Sequence, residues 1–433
     1  ISLFTAEGFA AYSWRDNKVI LPAGYTEFKK EVVYIKKIFV DSKKNIWMAS
    51  SNHGFFLRQR NDKRFNNNNV IDESLDGKST ISITGNRKGD IYFTTVSDGF
   101  LKYNANSKQM NVQHVEIPFQ GIVNIIVYVD RYGYVWISDN SRYLYKCADN
   151  GNNLQVLNKY DAPFILLSFM EMPNGDIYYA GYNTAVYRIR KNSNDIEKLS
   201  FYSGKLVVLP TMMCLSDGTL LLGACEHDLL IYNPNSNRVK RIPFKHFMVN
   251  GELTTNCALE DSHHNIWIGT LGQGLYLMTP DHRIRKMKGV PCSDICSILQ
   301  SGNGDIWIST SNGLSCYSKK NKRFSNYNET DGIGGNMFYD RSLFKSSDGT
   351  LFFGGGHGVT TINPKDWAKN DKPKLVFESL KIDNVNMKPS DGCIEKALNY
   401  NPIIYLKYNQ RSFFISYAVI DYSKYSNYHY QYK

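Results

Sequence analysis

The sequence has no apolar run near the roughly 18 to 20 residues that a membrane-spanning helix needs; the longest stretches are short, such as Phe164-Ile165-Leu166-Leu167. No segment of the chain reads as a spanning helix. A dense basic block is missing too. Lys and Arg number 51 against 40 Asp and Glu, for a formal charge of +11, yet Lys43-Lys44, Arg188, Lys319-Lys320 and Lys407 are scattered. That spread argues against direct nucleic-acid contact and leaves a weak preference for acidic partners. The eight cysteines have no regular spacing, so they form no disulfide framework. Cys214 and Cys225 flank an expected hairpin turn at 216–219; in that register Cys214 faces Leu221, and Cys225 is out of line for a bridge. Cys292 and Cys296 have neither a second cysteine pair nor a pair of histidines nearby, so they read as packing thiols rather than a metal clip. Gly-x-Ser-x-Gly, P-loop, His-Glu-x-x-His and EF-hand patterns are all lacking. The expectation is no catalytic residue, no metal and no cofactor. No basic segment followed by an apolar one precedes Ile1, so a signal peptide is read as removed or never included.

What is present is a repeat. The segments ending in Trp47, Tyr92, Trp136, Tyr178, Leu221, Trp267, Trp307 and Phe352 align without gaps at spacings of 40 to 46 residues. Representative copies are Lys44-Asn45-Ile46-Trp47, Gly89-Asp90-Ile91-Tyr92, His264-Asn265-Ile266-Trp267 and Gly304-Asp305-Ile306-Trp307. Ile1-Ser2-Leu3-Phe4-Thr5 reads as a partial earlier copy. Six of the eight full copies carry Gly three residues before the anchor, where a tight turn requires positive φ. A second turn often follows, as at Gln273-Gly274 or Asn312-Gly313, leading to a third strand such as Leu275–Met278 and a more polar fourth such as Lys322–Tyr327. Four short antiparallel strands in 40 to 46 residues predict the blade of an all-β propeller, since one blade cannot bury both faces alone. Aromatic content of 14% suits half-buried strands.

Anchors from Tyr92 to Phe352 favour seven blades over residues 76–366, with 1–75 as a remnant of an upstream propeller or its first blades; a ring of eight starting at Trp47 is the alternative. Residues 367–433 then open a truncated Ig-like β-sandwich, marked by alternation at 403–408 and 412–418 and by tyrosines at 422, 425, 428, 430 and 432. The recurring register of the anchor tryptophans assigns them to the core rather than to a ligand surface. His263-His264 reads as a solvated turn, and Gly354-Gly355-Gly356 as a tight blade turn.

The repeat closely resembles the regulator-propeller repeat, seen in Asp261 through Asn265-Ile266-Trp267-Ile268-Gly269-Thr270 with Gly274-Leu275, and in Gly304-Asp305-Ile306-Trp307-Ile308-Ser309-Thr310 with Asn312-Gly313-Leu314. Asn336-Met337-Phe338, 348–355 and 358–364 look like the last blade of such a propeller, and the tyrosine-rich tail looks like the three-tyrosine (Y_Y_Y) sandwich that follows it. Together they resemble the periplasmic sensor region of hybrid two-component histidine kinase/response regulators from glycan-degrading gut bacteria. The resemblance implies an extracytoplasmic, non-enzymatic module of an inner-membrane protein. Such a module binds an oligosaccharide released from a polysaccharide, works as a homodimer and signals to an intracellular histidine kinase. Most of a first propeller, the end of the sandwich and everything intracellular would lie outside this sequence, membrane attachment included. A secreted propeller polysaccharide lyase or hydrolase is the competing reading.

Sugars want aromatic platforms and planar hydrogen-bonding groups. Propeller geometry points to the loops that follow each anchor strand and those that enter each blade. On them lie Asn140, Arg142, Tyr182, Asn183, Glu226, His227, Gln273, Phe338, Tyr339 and Arg341, the candidate ligand residues. Arg142 and Arg341, with the positive net charge, are compatible with an acidic glycan.

Overall fold

The computed structural model describes residues 2–5, 8–13, 18–20, 35–40, 46–51, 54–58, 65–66, 68–117, 126–138, 143–162, 165–182, 185–191, 193–201, 208–224, 228–244, 254–363, 374–400 and 403–420. The chain divides into two compact units, Lys63–Lys369 and the pair of segments Ile1–Asp62 and Asn370–Lys433.

The larger unit is a β-propeller. Its described strands form seven sheets in chain order, mostly four-stranded; six follow the order of the sequence, and in the second His114–Val115 joins the outer edge in parallel with Asn153–Asp161. The first strands are Thr80–Gly85, Val127–Val129, Leu166–Glu171, Thr211–Cys214, Thr254–Glu260, Ile295–Gln300 and Phe338–Lys345. Every anchor from Tyr92 to Phe352 sits in the second strand of its sheet and is at most 4% exposed, which places Trp136, Trp267 and Trp307 in the core, whereas Trp47 is half-buried. The glycines three residues earlier take φ between 81° and 91° at Gly89, Gly133, Gly175, Gly218, Gly304 and Gly349. His264 occupies the same place before Trp267, and it too is left-handed, with φ 61°. The copy around Trp47 builds a sheet of the other unit, Ile35–Val40, Ile46–Ser50 and Gly54–Arg58.

Between adjacent sheets, apolar side chains alternate into shared cores, for example Tyr178, Leu220, Leu222 and Tyr232 between the third and fourth. Polar side chains of the first strands add hydrogen bonds to the backbone of the next sheet. Ser82 bonds the Val127 carbonyl, Ser168 that of Leu209, Thr211 that of Thr255, Asn256 that of Ile295, and Cys296 that of Phe338. Ser342 of the seventh sheet donates to the Thr80 carbonyl of the first at 3.1 Å and closes the circuit.

The unit starts earlier than residue 76. Phe65, 2% exposed, packs edge-on to Trp307 and Tyr327 in the core between the sixth and seventh sheets. Asn66 exchanges hydrogen bonds with Thr361 on the outer strand of the seventh. The helix Asn69–Leu75, capped by Asn68, buries Ile71 and Leu75 against Phe93, Leu101 and Phe352. Heptapeptide length and an Asn cap leave little periodic signal, and that is why this stretch read as upstream sequence. Cys214 pairs with Leu220 rather than Leu221, because the turn spans Leu215 to Thr219.

The second unit contains three-stranded sheets, among them Lys374–Ile382 with Val385–Asn386 and Phe413–Ile420. Leu380, Ile382, Cys393 and Ile394 form its small core. The tail tyrosines at 422–432 lie outside the described residues.

Candidate functional site

First strands run away from the face on which the chain enters each sheet, and second strands return to it. The starts of the first strands and the loops after the second therefore share one face of the propeller. The first strands also enclose a central cavity of about 430 Å³, lined by all seven sheets. Ser82, Thr84, Ser168 and Thr211 line it beside apolar Val127, Phe169, Met212 and Phe344, so its walls are of mixed polarity.

Near the entry face three polar side chains converge. Asn256, 1% exposed, donates from its amide to Asp340 Oδ1 at 2.7 Å and to the Ile295 carbonyl at 2.9 Å. Its own Oδ1 accepts from Arg341 Nη1 at 2.5 Å. Asp340 is exposed as a residue, and both Asp340 and Arg341 line the cavity. Burial pushes the Arg341 guanidinium below its ordinary pKa, and the Asp340 charge pulls the other way, with the Tyr182 phenol adding to it.

Local sequence explains how Arg341 gets there. The seventh sheet pairs Phe338 with Gly355 and Leu343 with Phe353, so residues 339–342 bulge out of register. Arg341 holds φ 59° in that bulge, a left-handed conformation that costs a non-glycine residue about 1–3 kcal/mol. The glycine run opposite makes the bulge possible. A Cβ on Gly355 would meet the Met337 carbonyl oxygen, and one on Gly354 the Ser342 hydroxyl and the Thr80 carbonyl oxygen, each closer than 3.0 Å. The run is thus not a tight turn as a whole: Gly354 and Gly355 end the strand Leu351–Gly355, and only Gly356 enters the turn.

No family model matches the chain. Over 204 residues, 45% of its length, it is 25% identical to histidine kinase P4 of Formosa agariphila, a match spanning 15% of that protein. Its fold matches the extracellular domain of the hybrid two-component system BT3049 from B. thetaiotaomicron at TM-score 0.62 and 17% identity, covering 98% of this chain and 63% of that one. The chain is similar to two-component sensor domains. The extracellular domain of the hybrid two-component system BT4673 from B. thetaiotaomicron matches at TM-score 0.57 and 17% identity over 96% of this chain and 58% of that one. Virginiamycin B lyase from Staphylococcus aureus matches at TM-score 0.53 and 14% identity, over 66% of this chain and 94% of that one. The chain thus spans less than two thirds of the sensor domains it resembles. No helix among the described residues is long and apolar enough to cross a membrane.

The ten residues singled out in the sequence fall in different places. Arg341 reaches the cavity, and Tyr182, 45% exposed, lies close enough for its phenol to act on the Arg341 charge. Tyr339 is drawn to the closing seam, where its hydroxyl meets Ser79 Oγ at 3.3 Å. Gln273 is half-buried on the same face but does not line the cavity, because its loop is tied back by Gly272 N–H to Asp294 and Gly274 N–H to the Ser293 carbonyl. Phe338 is a correction: at 4% exposure it packs against Phe353 in the inter-sheet core and offers no ligand surface. Asn140, Arg142, Asn183, Glu226 and His227 lie outside the described residues. Sequence reading missed Asn256 and Asp340, since single polar residues inside apolar strands carry no spacing signal.

On the opposite face, Ser216, Glu260 and His264 meet. Glu260 accepts from Ser216 Oγ at 2.7 Å, and His264 Nδ1 lies 2.8 Å from Glu260 and 3.0 Å from Ser216. Burial would raise the Glu260 carboxyl, but hydrogen bonds from Ser216 and His264 hold it below its ordinary value. One histidine nitrogen faces both partners, whereas a nucleophilic relay needs the two on opposite nitrogens. This group staples the fourth sheet to the fifth.

Proposed function

We propose that the chain is the ligand-sensing part of an extracytoplasmic, periplasmic sensor in a hybrid two-component signalling protein. It binds an oligosaccharide released from a polysaccharide at the entry face of the propeller channel and passes the signal to an intracellular histidine kinase. The observation that carries this reading is extent. The sensor domains match over 96% to 98% of the chain, both units included, whereas the lyase matches 66%. The relative by sequence is itself a histidine kinase. The reading includes no catalysis by this chain, operation as a homodimer, and membrane attachment through other parts of the protein. Signalling requires that the liganded arrangement bind sugar better than the unliganded one, otherwise no equilibrium moves.

A propeller lyase or hydrolase is the second reading, kept because the lyase shares the propeller fold. Thermal unfolding of the chain against a panel of neutral and acidic oligosaccharides, with product analysis of each mixture, separates the two. Ligand at about 100 times its Kd stabilises the folded state by roughly 2.7 kcal/mol. Stabilisation without cleavage is the expected result. Cleavage overturns the sensor reading in favour of an enzyme, and the lack of any shift across the panel removes the sugar.

A further inference from the structure

Arg341 raises a question that sugar binding alone does not answer. Its guanidinium lines the cavity, one Nη1 proton goes to Asn256, and no described residue accepts from Nε or Nη2 or pairs with it as an ion. The side chain is half-buried, and a cation partly withdrawn from water gains from a counter-charge that meets it. The backbone is nevertheless built to keep it there: a left-handed φ of 59°, a bulge of four residues, and glycines opposite that leave room for the bulge. Backbone strain retained around a half-buried charge points to ligand use. Burial lowers the Arg341 pKa, and the neighbouring Asp340 charge offsets part of that shift. Asn256 holds the guanidinium at Nη1, and Nε and Nη2 have no acceptor among the described residues, so they can meet an oxyanion as a fork.

We propose that Arg341 binds a single oxyanion carried on a sugar ring, a uronate carboxylate or a sulfate ester, inside the mouth of the channel. This rests on the sugar-sensing reading and narrows it to an acidic sugar. Asp340 sets the limit on charge. Its carboxylate, tied to Asn256 through Oδ1, accepts a ring hydroxyl at Oδ2 and repels a second anionic group. The site therefore prefers a monoanionic sugar to a densely sulfated one.

The test uses the 433-residue chain and four probes: D-glucuronate, its methyl ester, glucose 6-sulfate and glucose. Calorimetry is paired with labelling of Arg341 by phenylglyoxal, read by peptide mass spectrometry. The expected results are tighter binding of at least one anionic probe than of the ester and glucose by about tenfold, its loss in Arg341→Gln, and slower labelling of Arg341 when that probe is bound. The relative affinity of glucuronate and glucose 6-sulfate then tells which oxyanion is read. The labelling arm uses the unsubstituted chain, so it holds even if Arg341→Gln fails to fold. Equal binding of charged and neutral probes, with Arg341 labelled at an unchanged rate, overturns the inference and leaves sugar sensing standing. Failure of both anionic probes to bind or to slow labelling overturns it as well.

Discussion

Trp267 shows why the repeat prefers tryptophan as its anchor. Its indole N–H donates to Asp261 Oδ2 at 2.9 Å, while Asp261 Oδ1 accepts the backbone N–H groups of His263 and Asn265, so one carboxylate joins anchor and turn. Trp136 and Asp130 repeat the arrangement, with the indole bond at 2.8 Å. Trp267→Phe should keep the fold and lower stability by about 1–2 kcal/mol in denaturant titration, the cost of one charged hydrogen bond and some packing. Phe338→Ala should cost about 3–5 kcal/mol, because it empties an inter-sheet core. The carboxyls of Asp149, Asp176, Glu260 and Asp261 work against burial yet lie below their ordinary values, held by Lys102 at Asp149, by Lys191 N–H and Arg188 at Asp176, and by hydrogen-bond donors at Glu260 and Asp261. A depressed folded-state pKa gives stability that is complete above the unfolded value and lost as pH falls through the folded one. Melting temperature should accordingly fall as pH drops from about 4, the unfolded carboxyl range, and stay insensitive to these groups above about 5. Thiols behave oppositely in reactivity. Burial pushes Cys147 and Cys316 up to about 12 and raises Cys257 and Cys296 further, so all four should resist thiol reagents at neutral pH until the chain is unfolded.

At the scale of the element, the seam between the seventh and first sheets combines closure with the candidate site. Ser342, fully buried, bonds the Thr80 carbonyl, and Gly354 packs where any side chain would strike that same carbonyl. Gly354→Ala should destabilise the propeller by about 1–3 kcal/mol, since backbone rather than a flexible side chain must yield. Nuclear magnetic resonance or hydrogen exchange should locate the loosening at 80–85 and 338–355. Blade turns were legible from sequence because positive φ selects glycine at a constant offset from the anchor. The bulge was not. Its glycines looked like a turn, and nothing in Tyr339-Asp340-Arg341-Ser342 signals that four residues leave the ladder.

For the whole molecule, the boundary at Lys63 is testable by truncation. A chain starting at Lys63 should unfold cooperatively, whereas one starting at residue 76 loses Phe65, Ile71 and Leu75 from two cores and should be strongly destabilised or insoluble in the same calorimetric comparison. Strand order, the placement of the anchors and the all-β class followed from the sequence alone, because period-two apolar alternation and a recurring Gly turn are local properties that a repeat displays several times over. The resemblance to two-component sensors also came from local motifs in a recognisable order, and the comparisons agree with it. Three things were decided only by tertiary structure: the early segment that completes the ring, the burial of Phe338, and the meeting of Asn256 with Asp340 and Arg341 across 84 and 85 residues. A closed ring brings the first strands of non-adjacent blades to one axis, and their distance there depends on closure and on one bulge, neither of which is written in the spacing of residues along the chain.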